Sequence, residues 1–230
     1  MAGRKLRLFV SGGPDIVDAV VSRSEGGAKL VRGIRELASS SFPDAEVETL
    51  YERTGGFADL RVALETGDSR ILDEQPQVVV LSIGSDVLEL DGMGTSIEDG
   101  VRRIEADLVA VIDLIKEKVG AHVLVANAST LDPIQSTFNY HDIDDEPVSL
   151  RAHRLDLMLV GVSHTEGISV IDVDRKIAEL GGVTGVLAAL DYSEAGCRII
   201  AEEIVRVIED YGFFDDRPLL VQVGASAGAS

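Results

Sequence analysis

The chain holds one cysteine, Cys197, and no tryptophan. A single thiol excludes an intrachain disulfide framework and a paired-cysteine metal site. Arg4, Lys5 and Arg7 lead only into a short apolar run, too short for the core of a signal peptide. No apolar run approaches the length of a membrane span. Cations are scarce as well: 21 Lys and Arg stand against 40 Asp and Glu, for a formal charge of −19. Nucleic acid and anionic membranes require a basic footprint, so neither is an expected partner. The acidic surplus reads as solubility, and the composition suits a cytoplasmic protein.

What is present is aliphatic. Hydrophobic residues make up 45 % of the chain and aromatics only 4 %, which points to a Val/Ile/Leu/Ala core of buried strands and covering helices. The 230 residues fit a single domain over residues 1–222. Residues 223–230, almost entirely Gly, Ala and Ser, read as a frayed tail.

Strand and helix patterns alternate along the chain. Residues 6–10 form a strand that ends in Ser11-Gly12-Gly13-Pro14. Leu30, Val31, Ile34 and Leu37 recur at helical spacing within 27–40. Residues 46–50 form a second strand, 51–56 a loop and 57–65 a short helix. Residues 77–83 are a continuous apolar run, as expected of a strand covered on both faces. Ser96-Ile97-Glu98-Asp99 resembles a capping box opening a long helix. Its buried stripe is Val101, Ile104, Leu108, Val111, Ile112 and Ile115, and Gly120 stops it. Strands at 122–127 and 167–172, with helices near 148–162 and 193–211, complete the pattern. Such alternation implies a parallel sheet with helices on both faces and a ligand edge at the strand C-termini. Five loops face that edge: 11–15, 51–56, 84–95, 128–146 and 188–193.

Four short blocks, in order over residues 6–212, resemble the SGNH/GDSL hydrolases. The family's first block is a strand followed by Gly-Asp-Ser; here Ser11-Gly12-Gly13 puts Gly13 at the nucleophile position. Gly55 or Gly56 matches the glycine of the oxyanion hole. The third block, Gly-x-Asn-Asp, reads Gly84-Ser85-Asp86-Val87, with Asp86 in place of Asn. The last block, Asp-x-x-His, reads Ala188-Ala189-Leu190-Asp191, with Ala188 and Asp191 at the triad Asp and His positions. The resemblance implies a flavodoxin-like three-layer α/β/α sandwich with a five-stranded parallel sheet in the order 2-1-3-4-5. It also implies ester hydrolysis, which these residues contradict. Gly13 carries no nucleophile and Ala188 orients nothing. Asp191 is a weak base at neutral pH, and an ionised Asp86 would repel an oxyanion. Losing one oxyanion donor costs about 10²–10³ in rate, and losing a nucleophile or base on the order of 10⁶.

Three functional readings follow. The first is a hydrolase-like protein with a degenerate site, a non-catalytic binding or regulatory module for a small molecule or ester. Ser11, Gly12, Gly13, Gly55, Gly56, Gly84, Ser85, Asp86 and Asp191 would line its pocket. The second is an active esterase on small acyl or acetyl esters with a rearranged set, Ser11, His141 and Asp191. His141 is the one histidine placed to reach that edge; His122 and His164 lie at the opposite end and His153 on a helix face. The third is a metal site: Asp86 and Asp191 would face each other, flanked by Asp91, Asp142, Asp144 and Asp145, and hold a divalent cation through oxygen ligands. Asp191 also has a structural reading as a helix cap and Asp86 as a loop cap, and residues 142–146 read as a solvated acidic loop. No cofactor motif is read. Gly67-Asp68-Ser69 spells the family motif but follows a helix rather than a buried strand, and reads as a chance match.

Overall fold

The computed structural model describes residues 4–17, 19–20, 33–90, 96–128, 148–179 and 194–213. Its strands are β1 (Arg4–Gly12), β2 (Ala45–Arg53), β3 (Val78–Ser82), β4 (His122–Ala126) and β5 (Ser169–Ile171). Its helices are α1 (Pro14–Val17), α2 (Ile34–Ser41), α3 (Phe57–Thr66), α4 (Arg70–Glu74), α5 (Gly84–Glu89), α6 (Ile97–Lys118), α7 (Val148–Glu166), α8 (Val173–Glu179) and α9 (Glu194–Asp210). All strand pairs are parallel and the order is β2-β1-β3-β4-β5, as the resemblance implies.

The period-two alternation of the strands sorts the core into two layers. Leu8, Val10, Val78, Val80 and Leu124 face α1, α2, α8 and α9. Phe9, Val79, Leu81, Val123 and Val125 face α3, α5, α6 and α7. β3 is buried along its whole length, which explains its unbroken apolar sequence. α6 starts where expected: Ser96 Oγ accepts from the Asp99 N–H at 3.2 Å, and the Gly120 N–H closes the helix on Ile115 and Lys116. Its buried stripe runs from Ile104 to Ile115, while Val101 is only half-buried at its margin. Cys197 is buried in the first layer.

Several expectations need correction. β2 continues through Arg53, so only Thr54–Gly56 remain of the loop given to 51–56. In the stretch read as a helix over 27–40, the described helix is α2, and residues 27–32 lie outside the described residues. Residues 84–89, read as loop, form α5. A six-residue helix has too few apolar positions to declare a period, and β3 hides its start by running straight into it. The literal Gly-Asp-Ser tripeptide is a joint between two helices, as its position suggested. Gly67 ends α3 at φ +87°, and Ser69 Oγ caps α4 by accepting from the Ile71 N–H. The tail at 223–230 lies outside the described residues.

The chain turns left from β1 to β2 and right from β1 to β3, so the sheet's crevice opens at the C-terminal ends of β1 and β3. Gly12 sits there because nothing larger fits. A Cβ on it would lie 2.8 Å from Ile16 Cγ2 and 2.9 Å from Ser82 Cβ. Gly12→Ala is expected to cost about 2 kcal/mol through overpacking, measured by urea unfolding. Wild-type stability in that variant would mean that α1 yields without resistance.

Candidate functional site

The crevice is built from three turns: the end of β1, the β2–α3 turn and the β3–α5 junction. Their sequence-predicted residues do converge. Ser11 and Gly12 end β1 and Gly13 follows it, and all three are buried. The Thr54 N–H donates to the Gly12 carbonyl at 3.1 Å, which brings the β2–α3 turn alongside. Gly84 and Ser85 open α5 beside them, and the Gly84 N–H donates to Ser82 Oγ at 3.0 Å.

Asp86 is the centre of this arrangement. One turn of α5 carries its side chain inward, where it is 2 % exposed. Oδ1 accepts from the Phe57 N–H at 2.9 Å. This N–H is an orphan donor in the first turn of α3, which Gly56, the residue at its cap position, has no side chain to satisfy. Asp86 therefore caps α3 from another element. The contact explains Gly56: a Cβ there would lie 2.5 Å from Asp86 Oδ1 and 3.0 Å from Glu89 Oε2. At Gly55 a Cβ would collide with Asp59 Oδ2.

The environment also decides the charge on Asp86. Its Oδ2 is buried with no hydrogen-bond partner among the described residues. Burial pushes the carboxyl up to about 8, the Phe57 N–H opposes this, and Glu89 and Asp107 add repulsion. Asp86 is then largely a neutral acid at pH 7, which corrects its expected role as a repelling carboxylate. A neutral carboxyl has an O–H to donate, as the Asn amide does.

Sequence reasoning missed Asp59, Glu89 and Asp107. The sequence does carry a signal for Glu89: it follows Asp86 by three residues, about one helical turn, which counts only once 84–89 is a helix. Asp107, on α6, pairs with Arg61 Nη1 of α3 at 2.7 Å. The sequence contains no mark of that meeting.

Ser11 is 1 % exposed, and its hydroxyl shares a 3.4 Å contact with Thr54 Oγ1. That is a turn-stabilising position, in line with its structural reading. His141, Ala188 and Asp191 lie outside the described residues, as do Asp91, Asp142, Asp144 and Asp145. His122 and His164 lie at the sheet's opposite edge, and His153 is exposed on α7. Among the described residues no three His, Cys, Asp or Glu side chains are grouped to hold a metal ion. No helix among them is long and apolar enough to cross a membrane.

A second, half-buried acid lies further along the edge. Asp156 of α7 is pushed up to about 7 by burial, against the Ala128 N–H and with repulsion from Asp174 and Asp172. Asp172 caps α8 by accepting from the Arg175 N–H at 3.1 Å. Asn127, at the end of β4, ties this turn down: its Nδ2 donates to Asp172 Oδ1 at 3.0 Å, and its Oδ1 accepts from the Val173 N–H at 2.7 Å.

The sheet order, the flanking helices and the crevice at β1 and β3 define an α/β fold of the GDSL/SGNH hydrolase type. Acetylxylan esterase Axe2 from Geobacillus stearothermophilus superposes with a TM-score of 0.64 at 18 % identity, covering 90 % of this chain and 95 % of that one. The acetyl xylan esterase AlAXEase gives 0.60 at 16 % identity, covering 88 % and 100 %. A lipolytic G-D-S-L family protein from Veillonella parvula gives 0.59 at 16 % identity, covering 89 % and 98 %. No protein-family model matches the chain, and no curated protein matches it in sequence.

Proposed function

We propose that this protein is a GDSL-type homologue with a degenerate site, which binds a small molecule or ester in the cytoplasm without hydrolysing it. The observation that carries this reading is Asp86. It stands where the fold's hydrolases place an oxyanion-stabilising Asn, and it spends Oδ1 on the Phe57 N–H. That carboxyl and Glu89 lie against Gly56. An oxyanion hole needs donors open to a developing negative charge. Here the acids Glu89 and Asp59 lie against Gly56 and Gly55, at the position of the oxyanion hole. At the end of β1, Gly13 offers no nucleophile, and the nearby Ser11 hydroxyl is buried against Thr54. A crevice so lined suits a neutral or cationic ligand better than an anionic one.

The test is hydrolysis of p-nitrophenyl acetate by purified protein, run beside Ser11→Ala. The expected outcome is turnover indistinguishable from an inert protein in both. Turnover that Ser11→Ala abolishes would overturn the reading in favour of a rearranged esterase using Ser11, His141 and Asp191.

A further inference from the structure

Three carboxyl groups form a row across two consecutive glycines. A Cβ at Gly56 would meet Asp86 Oδ1 at 2.5 Å and Glu89 Oε2 at 3.0 Å. A Cβ at Gly55 would meet Asp59 Oδ2 and, at 3.5 Å, Glu89 Oε1. Glu89 therefore turns one oxygen toward Asp86 and the other toward Asp59. No lysine or arginine among the described residues pairs with any of the three; Arg61, on the same helix as Asp59, is held by Asp107 and Glu65. Glu89 and Asp59 are exposed and Asp86 is buried, so the row opens to solvent at one end and closes on a buried carboxyl at the other. Exposed acids are ordinary on a chain of net charge −19. Asp86 is not. Its carboxyl carbon lies 3.1 Å from the Gly56 Cβ position, facing the point that Glu89 also faces, and Oδ2 has no partner among the described residues. A buried polar oxygen left unpaired is uncommon and calls for a partner from outside the chain.

We propose that this row binds the primary ammonium group of a small amine, seated between Asp59 and Glu89 with Asp86 behind them. The proposal rests on the ligand-binding function given above and narrows it to a cation. An ammonium carries three N–H donors and no acceptor, which matches a site made of acceptors. Its N–H···O contacts run at about 2.7–2.9 Å, against about 2.0–2.6 Å for magnesium or calcium ligands, so it tolerates carboxyls spaced too widely for a metal ion. Two exposed carboxylates alone would hold it weakly. Asp86 strengthens the site by releasing its proton to solvent as the cation arrives. The free protein keeps that proton because burial, Glu89 and Asp107 all oppose the charge. α7, which also packs on α5, has one buried charged side chain, Arg151, and that group has a partner of its own. A positive charge at the row reverses the balance, so affinity rises with pH.

Titration with n-butylammonium chloride, followed by amide NMR at physiological salt to screen the general attraction of an acidic surface, tests this. Saturable shifts are expected at the Gly55, Gly56 and Phe57 amides, with affinity rising by up to about tenfold per pH unit from pH 6 to pH 8. Tetramethylammonium, equal in charge but without N–H donors, should not saturate. Glu89→Gln and Asp59→Asn are each expected to weaken binding several-fold, and together about tenfold or more, without lowering the melting temperature, since both side chains are exposed. Asp86→Asn should bind with no pH dependence. Shifts that grow linearly with amine, that tetramethylammonium reproduces, or that the double variant leaves unchanged would overturn the proposal. So would an affinity that stays flat with pH in the wild type. Turnover of p-nitrophenyl acetate would overturn the non-hydrolytic reading and leave this site standing, whereas failure to bind the amine would do the reverse.

Discussion

Asp86→Asn is expected to make the protein more stable at pH 8 and not at pH 4. The unfolded carboxyl ionises near 3.8, while the folded one holds its proton up to about 8. A raised folded value means that the contribution of Asp86 is fully present below pH 3.8. It is lost progressively as pH rises to 8, because the unfolded chain releases a proton that the folded chain must keep. About four pH steps at about 1.4 kcal/mol each make this loss on the order of 5 kcal/mol. An amide in the same place accepts from Phe57 and never ionises, so it escapes the loss. It also brings one more N–H into a slot with few acceptors, so at pH 4 it should equal the wild type or fall slightly below it. Denaturant unfolding of both proteins at pH 4, 6 and 8 measures the swing. A constant difference across that range would mean that Asp86 is ionised in the fold and that its burial has been offset elsewhere. The pH dependence separates this from an ordinary packing effect, which would not titrate.

Arg61→Ala is expected to cost about 3 kcal/mol. Asp107 is 5 % exposed, and its ion pair with Arg61 joins α6 to α3 directly behind the crevice. Removing the arginine strands a buried carboxylate, for which losses of about 3–5 kcal/mol are typical. The lower end applies here because Arg61 is about one-third exposed and water already screens the pair. Asp107 also opposes the ionisation of Asp86, so the stranded charge would hold Asp86 in its neutral form. Replacing both partners, with Arg61→Met and Asp107→Leu, should recover most of the loss, since an apolar pair needs no counterion. Thermal unfolding of the three variants decides the matter. A double variant as unstable as the single one would mean that the charges matter less here than the shape they fill.

These two expectations show where sequence reasoning reached and where it stopped. The β3 run, the Ser96 cap and the stripe of α6 were legible because each is a local matter. A strand buried on both faces must be apolar throughout, a first turn needs an acceptor, and a covered helix face repeats at three and four. The convergence of Gly12, Gly56 and Asp86 was legible only through the order of the motif blocks. The charge state of Asp86 was not legible at all. Read alone, Asp86 is a carboxylate, but its pKa depends on the burial of Oδ2, on the Phe57 N–H twenty-nine residues earlier and on Glu89 and Asp107 nearby.

Hydrophobic patterning along the chain was enough to give the parallel α/β sandwich and the edge at which its crevice opens. Hydrophobic period does not depend on distant neighbours. It took packing to make 84–89 a helix, to have its aspartate cap α3 as a neutral acid, and to bring Arg61 to Asp107. Each of these follows from desolvation and contact between segments far apart in the chain, and those are properties of packing rather than of any local run of residues.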